Sequence, residues 1–345
     1  MMGEKLRFTS DYMEGAHPAI LNRLVETNFE QTAGYGTDEY SEAAREKIRA
    51  ACAAPEAEIH FLVGGTQANA TVIDALLRPW QCIVAASTGH INVHEAGAIE
   101  FGGHKVLGLE PRDGKLEADS VARCIETWQR DENRDHVPMP GAVYISQPTE
   151  CGTLYSLSEL EALSRVCRGA GIPLYLDGAR LAYALACPEN DAALPDIARL
   201  CDAFYIGGTK CGALFGEAVV FPRPGVVSHF FTIVKQHGAL LVKGRIAALQ
   251  FDALFTGGLY GEIGMSAIDA ADRIRAALAQ KGYALAFPAP TNQIFVALDR
   301  ERAEALSRDV EMGFWENLPD GRVVMRIATS WATRPEAVDR LIARL

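Results

Sequence analysis

Four short stretches of this sequence carry side chains that can do chemistry. The first is Gly64-Gly65-Thr66-Gln67, which follows the apolar run Ile59 to Val63. Two glycines permit a sharp turn, and the helical pattern after them presents free N–H groups and the positive end of a helix dipole. That is a seat for an anion, most simply a phosphate. The same residues also read as an ordinary strand-to-helix connection with Thr66 as N-cap. The second stretch is Gly89-His90-Ile91-Asn92-Val93-His94-Glu95-Ala96-Gly97. His90 and His94 lie four apart, but a third metal ligand at convincing spacing is missing and the pattern is not H-E-x-x-H, so no metal is expected. An imidazole placed just after a strand can instead lie flat on an aromatic ring, or act as an acid or base.

The third stretch is Leu174-Tyr175-Leu176-Asp177-Gly178-Ala179-Arg180. Asp177 ends an apolar strand, where it either caps the following helix or keeps a heterocyclic nitrogen protonated so that the ring becomes an electron sink. The fourth is Tyr205-Ile206-Gly207-Gly208-Thr209-Lys210. A lysine there can snorkel to the surface. Burial beside another cation would instead lower its proton affinity and free the amine to attack an aldehyde. Taken together, the four supply a phosphate seat, a ring partner, a carboxylate for a pyridine nitrogen and an amine for an aldehyde. That set describes one ligand, pyridoxal 5′-phosphate.

These groups must be positioned by the elements around them. Apolar β-type runs alternate with helical patterns through the middle of the chain, which predicts an α/β fold with a mostly parallel sheet covered by helices. The predicted strands are Ile59 to Val63, Cys82 to Ala86, Lys105 to Leu109, Ala142 to Ser146, Leu174 to Leu176, Ala203 to Ile206 and Ala218 to Phe221. Helices are expected over Gln67 to Leu77 and over Leu157 to Arg168, the latter capped by Ser156. All four chemical stretches then fall at strand ends, where open α/β sheets bind ligands. Beyond them, Lys235 to Phe255 and Gly261 to Gln280 read as long helices. The strands Ile294 to Leu298 and Arg322 to Ile327, with helices Arg300 to Ser307 and Pro335 to Leu345, predict a small α+β unit. The division is placed near Thr256-Gly257-Gly258, giving a large unit over 1–255, N-terminal segment included, and a small one over 256–345. Trp128 to Pro140, charged and proline-bearing, is expected to be a surface loop.

The 345 residues, about half of them hydrophobic, suffice for a large core. A net charge of -11 with no basic tract argues against nucleic acid as a partner. The 8 cysteines are scattered without C-x-x-C, as expected of reduced thiols in the cytoplasm rather than a disulfide framework. Met1 to Ser10 carries charges and no long apolar run, so neither a signal peptide nor a membrane anchor is expected.

On these residues the chain resembles the L-threonine aldolases and their beta-eliminating-lyase relatives, within the fold-type I, aspartate aminotransferase-like pyridoxal-phosphate enzymes. The resemblance runs nearly the whole length. It is carried by Tyr35-Gly36-Thr37-Asp38-Glu39-Tyr40, Gly65-Thr66-Gln67-Ala68-Asn69, His90 with Glu95-Ala96-Gly97, Leu176-Asp177-Gly178-Ala179-Arg180 and Gly208-Thr209-Lys210. It implies that Gly65, Thr66 and Gln67 bind the cofactor phosphate, that His90 stacks on the ring, and that Asp177 pairs with its nitrogen. Arg180 would sit near the ring hydroxyl, and Lys210 would carry the cofactor as a Schiff base. Ser10 and Arg326 would hold the substrate carboxylate, Arg326 with a two-pronged grip. Tyr35 and Arg245 would complete the site in part from a neighbouring subunit of a homotetramer or homodimer.

The implied reaction is cleavage of threonine, allo-threonine or a related β-hydroxy-α-amino acid to glycine and an aldehyde. One departure bears on it. Many members carry a histidine after the fourth strand, where this chain has Ser146-Gln147-Pro148-Thr149-Glu150-Cys151-Gly152. Glu150 stands in its place, so the hydroxyl base is His90, Glu150 or a water between them. The same departure keeps β-elimination, aldol cleavage of phenylserine-type substrates and transamination as rival reactions. A nucleotide-binding domain and a cofactor-less interaction protein on this scaffold are further rivals, the first weakened by the lack of G-x-G-x-x-G and of a Walker pattern.

Overall fold

In the computed structural model, which describes residues 5–345, the chain builds two sheets. Residues 1–4, the start of the segment read as lacking a signal peptide, lie outside the described residues. The strands in chain order are β1 (Leu6–Phe8), β2 (Glu58–Leu62), β3 (Gln81–Ala86), β4 (Lys105–Leu109), β5 (Met139–Ser146) and β6 (Leu174–Asp177). They continue with β7 (Ala203–Gly207), β8 (Glu217–Phe221), β9 (Ala284–Leu285), β10 (Gln293–Leu298), β11 (Val310–Asn317) and β12 (Val323–Ala328).

The seven-stranded sheet has the order β2-β8-β7-β6-β5-β3-β4, and all seven predicted strands are in it. Strands β4, β3, β5, β6 and β7 run parallel, while β8 is antiparallel to both β7 and β2. The carboxyl ends of the parallel strands therefore share one edge with the amino end of β8. These strands are apolar without a polar face because helices cover both sides. Side chains alternate between the two faces. Val143, Ile145, Leu174, Leu176, Phe204 and Ile206 enter one core, and Tyr144, Tyr175 and Tyr205 enter the other, with Ala68 and Val72 of the helix Gly65–Leu76. The helix Leu157–Ala170 starts with the expected Ser156 cap, reinforced by Glu159 in a capping box, and stops at left-handed Gly171.

The second sheet has the order β1-β11-β12-β10-β9. Its strand β1, parallel to β11, brings Leu6–Phe8 of the N-terminal segment into this sheet. The helix Leu259–Gln280 contributes to two cores: Ile263 and Ala267 pack with the seven-stranded sheet, Ile274 and Leu278 with the second sheet. Two expectations are corrected here. The span Lys235 to Phe255 is not one helix but parts of two, Phe230–Gln236 and Arg245–Leu254, because Gly238 takes a left-handed φ of 65° that ends the first. The span Trp128 to Pro140 is not wholly loop, since it begins in the helix Ala118–Arg130, passes a 3-10 turn and ends in β5.

Candidate active site

Each functional group arrives at the shared strand edge on a different connection. After β2, Val63 to Thr66 turn into the helix Gly65–Leu76; after β3 comes His90; β5 leads to Glu150, β6 ends in Asp177, and β7 leads to Lys210. They line one cavity of about 320 Å³, together with Gly64, Gly65, Thr66, Arg180 and Tyr12. A second cavity of about 540 Å³ adjoins it and shares Tyr12, His90, Glu150, Arg180 and Lys210. It adds His94, Phe314, Trp315 and Arg326.

Asp177 is buried, and four donors surround its carboxylate. Oδ1 accepts the Ala179 N–H at 3.0 Å and the Tyr205 hydroxyl; Oδ2 accepts the Tyr144 hydroxyl at 2.7 Å and the Asn69 amide at 3.0 Å. Burial pushes this acid up. The charge of His90 and the bonds from Tyr205, Tyr144 and Asn69 outweigh burial, so Asp177 lies below its usual value and stays ionised. The capping alternative is also realised in part, since Ala179 opens the turn into the helix Leu181–Ala186.

The Asn69 amide also donates to Glu95 at 2.7 Å, and Glu95 in turn meets Nδ1 of His90 at 2.6 Å. Glu150 accepts the His90 backbone N–H at 2.9 Å and the Ser146 hydroxyl at 2.7 Å. Its buried carboxyl is pushed up, chiefly by burial. Lys210 is held below the ordinary lysine value by burial and then by the charge of Arg180. Its Nζ lies 5.9 Å from the centre of the Tyr12 ring.

The helix Gly65–Leu76 starts at Gly64, which supplies no side-chain cap, and its first backbone acceptance is Ala68 N–H to Gly64 C=O. The N–H groups of Gly65, Thr66 and Gln67 thus have no acceptor among the described residues, as an anion seat requires. The Gln67 side chain turns back to accept the Val63 N–H at 3.1 Å and does not line the cavity. These features fit a phosphate-bearing pyridine aldehyde: open donors at one end, an ionised acid under the ring, and an amine of lowered proton affinity.

The remaining expected residues divide. Arg326 reaches the adjoining cavity, where its guanidinium donates to Gln293 at 3.1 Å and to the Thr9 carbonyl at 3.0 Å, with Nε unpartnered and buried. Ser10 is buried next to Thr9 and lines neither cavity. Arg180 is clamped by Asp11 through two bonds of 2.6 and 3.0 Å. Tyr35 and Arg245 are not brought to either cavity by this one chain. Tyr35 lines a separate cleft, and Arg245 donates to the carbonyls of Glu30 and Thr27 at 2.9 and 3.1 Å. His90 and His94 face each other at 5.6 Å, and among the described residues no group of three His, Cys, Asp or Glu is arranged for a metal.

Sequence reasoning quoted Asn69, Glu95 and Tyr205 within its motifs without giving them a role, and passed over Tyr144, Asp11 and Glu217. A signal existed for the tyrosines: Tyr144, Tyr175 and Tyr205 each stand two residues before Ser146, Asp177 or Gly207 on a strand, hence on the same face.

Comparison with known proteins agrees with this geometry. The family described as beta-eliminating lyase matches residues 7–323. A low specificity L-threonine aldolase of Pseudomonas aeruginosa is 31% identical over 97% of this chain and 95% of its own. The solved threonine aldolase of Leishmania major superposes with a TM-score of 0.94 at 41% identity, covering 98% of this chain and 97% of that one. An aspartate aminotransferase of Thermus thermophilus shares the fold, with a TM-score of 0.75 at 17% identity over 99% of this chain and 91% of its own. A match of this reach, on a chain whose lysine, acid and helix start surround one cavity, places the protein in the beta-eliminating lyase family as a pyridoxal-phosphate-dependent lyase of fold type I.

Proposed function

We propose that this chain cleaves L-threonine, L-allo-threonine or a related β-hydroxy-α-amino acid to glycine and an aldehyde. The observation that carries the reading is the convergence of Lys210, Asp177, His90 and the open helix start on one cavity. The reactions named for the relatives from Pseudomonas aeruginosa and Leishmania major support the choice of aldol cleavage. When bound, pyridoxal phosphate supplies an electron sink for the bond broken at the α-carbon.

The chain's own groups do the rest. Gly65 and Thr66 offer N–H donors to the phosphate, and Gln67 fixes the turn that presents them. Lys210 would hold the aldehyde carbon of the bound cofactor, its amine freed by burial and by Arg180. Asp177 keeps the ring nitrogen protonated. Its four present donors fill the usual lone-pair directions of a carboxylate, so the ring N–H must share one. The Tyr144 hydroxyl can yield, having Ser146 Oγ 3.3 Å away as another partner. Arg326 and Ser10 bind the substrate carboxylate. His90 takes the hydroxyl proton: Glu95 occupies Nδ1 and leaves the other ring nitrogen for substrate. Glu150, with Ser146, is a second proton holder beside it.

Tyr35 and Arg245 act across an interface between at least two copies, as a homodimer or homotetramer. Phe29, Val25 and Val242, 95%, 75% and 61% exposed, give that interface apolar surface. We place the enzyme in the cytoplasm, where its eight free cysteines stay reduced; no helix among the described residues is long and apolar enough to cross a membrane.

Glycine release from threonine, allo-threonine and phenylserine tests the proposal. Formation of pyruvate or another keto acid alone, or wild-type turnover by Lys210→Ala, overturns it. A second reading, preference for aryl substrates, is favoured by Phe314 and Trp315 in the adjoining cavity, and the same panel decides it.

A further inference from the structure

One buried acid in the cavity has no part in the scheme above. Glu217 is the first residue of β8, and because β8 runs antiparallel between β2 and β7 it pairs in register with both Leu62 and Gly207. The strand edge therefore sets it between the turn that leads to Gly65 and Thr66 and the turn that leads to Lys210. It lines the same cavity as those residues and is 3% exposed. Its oxygens accept the Gly208 N–H at 3.2 Å and the Thr209 hydroxyl at 2.9 Å, and it forms no ion pair among the described residues.

The charge around it is unbalanced. His90, Arg180 and Lys210 all line the adjoining cavity too, so the basic side chains sit at the junction. The unshared part, where the helix start lies, takes Asp177 and Glu217 and no basic side chain from this one chain. Asp177 is committed to its four donors and to the ring nitrogen. A phosphate of charge about −1.5 to −2 entering next to an ionised Glu217 would be repelled in a medium of low dielectric. A neutral carboxyl would instead donate a short O–H bond to a phosphate oxygen.

We propose that Glu217 completes the phosphate seat as a neutral acid, so that the cofactor enters together with a proton. This rests on the reading that pyridoxal phosphate occupies the Lys210 cavity. The titratable groups whose charge reaches Glu217 are Tyr175, Tyr205 and Tyr260, Cys211, Lys210 and Asp177. Burial pushes the tyrosines and Cys211 up, so they stay neutral. Lys210 is the only cation of the six, and it gives up its free amine on loading. Burial raises Glu217 to about 8, Asp177 adds to the rise, and Thr209 and Lys210 oppose it. Below that pH the empty site is already protonated; above it, loading must take a proton up.

The test is reloading of the stripped full-length chain, wild type and Glu217→Gln, with pyridoxal 5′-phosphate and with pyridoxal, from pH 7 to pH 10. Apparent Kd is read by absorbance and protein fluorescence. For the phosphate form, wild-type affinity should fall relative to Glu217→Gln by about tenfold per pH unit above the Glu217 value, and for pyridoxal the two proteins should run parallel. Parallel curves with the phosphate form, or an equal divergence with pyridoxal, overturn the proposal while leaving the cavity reading intact. No cofactor uptake by the wild type overturns both. Should Glu217→Gln not fold, proton uptake by the wild type in weak buffer at pH 9 decides. More protons must be taken up with pyridoxal phosphate than with pyridoxal, and equal uptake refutes the proposal.

Discussion

Nδ1 of His90 lies 2.6 Å from Oε1 of Glu95, and Glu95 is itself tied through Asn69 to Asp177. A carboxylate at Nδ1 places the ring hydrogen there and sets the plane of the imidazole. The acid expected under the ring and the imidazole expected over it thus belong to one hydrogen-bonded chain.

Breaking that link should slow the reaction without emptying the site. A positioned base contributes about 10²–10⁴-fold, so His90→Asn should lose a factor in that range in kcat. Glu95→Gln should lose less and shift the pH–rate profile, with cofactor absorbance retained. Unchanged kcat and pH profile in both variants would remove His90 from the proton path.

Asp177 anchors three side chains. Asp177→Ala strands the buried Tyr205 hydroxyl, leaves the Asn69 amide with Glu95 as its one acceptor, and leaves the Tyr144 hydroxyl with Ser146 alone. A hydroxyl so stranded costs about 1–3 kcal/mol. Asp177→Asn keeps the shape but not the charge. The alanine variant should therefore melt well below the asparagine variant, while both lose glycine release. Equal melting temperatures would contradict this.

Arg326 presents a planar guanidinium to the adjoining cavity. Arg326→Lys keeps the charge and loses the fork, so KM for threonine should rise by about tenfold or more, one charge-assisted bond being worth ~1.5–3 kcal/mol. The expected sign is a larger change in KM than in kcat, read from steady-state glycine release.

Two glycines hold the ends of β6 and β7 together. A Cβ on Gly178 would overlap the Tyr205 carbonyl oxygen, and one on Gly207 would overlap the Ala179 carbonyl. Either alanine substitution should destabilise by about 1–3 kcal/mol or more, since backbone must shift. Gly169→Ala, near the end of the helix Leu157–Ala170 with nothing within 4 Å, should stabilise by about 0.5–1 kcal/mol. Chemical denaturation of the three variants checks both signs.

The Asp11–Arg180 clamp predicts an acid limb. Burial pushes the Asp11 carboxyl up, but the charges of Arg180 and Lys210 outweigh it, and the acid lies below its usual 3.8. A carboxylate depressed on folding stabilises the folded chain above its unfolded value, and that contribution is lost as pH falls through the folded one. Asp11→Asn should thus be less stable than wild type at neutral pH and converge with it below about pH 4. Glu217 has the opposite sign. Raised to about 8, it weakens the cofactor-free fold as pH rises from 4.5 to that value, and Glu217→Gln should remove the loss. Melting temperature against pH reads both.

Sequence order was enough to find the seven strands of the large sheet and the turns at their ends. Buried parallel strands are continuous apolar runs, and the cavity is lined by residues at or after the ends of β2, β3, β5, β6 and β7. Gly65, His90, Asp177 and Lys210 were legible for that reason. Strands β1 and β11 were not: Leu6–Phe8 is too short for a pattern, and Val310–Asn317 mixes glutamates, Gly313 and aromatics without clean alternation. The break at Gly238 did carry a local signal, a glycine after Lys235 and His237, which the reading of one long helix ran past.

Folding alone decided which residues became neighbours across the sheet. Glu217 reaches the cavity because an antiparallel strand starts where its parallel neighbours end, and no local pattern announces a strand's direction. Asp11 meets Arg180 from 169 positions away, and Asn69 joins Asp177 from 108. Such pairings depend on register and on packing between layers, whereas strand ends depend on a few consecutive side chains. The first kind of information is spread over the whole chain, and the second is written locally.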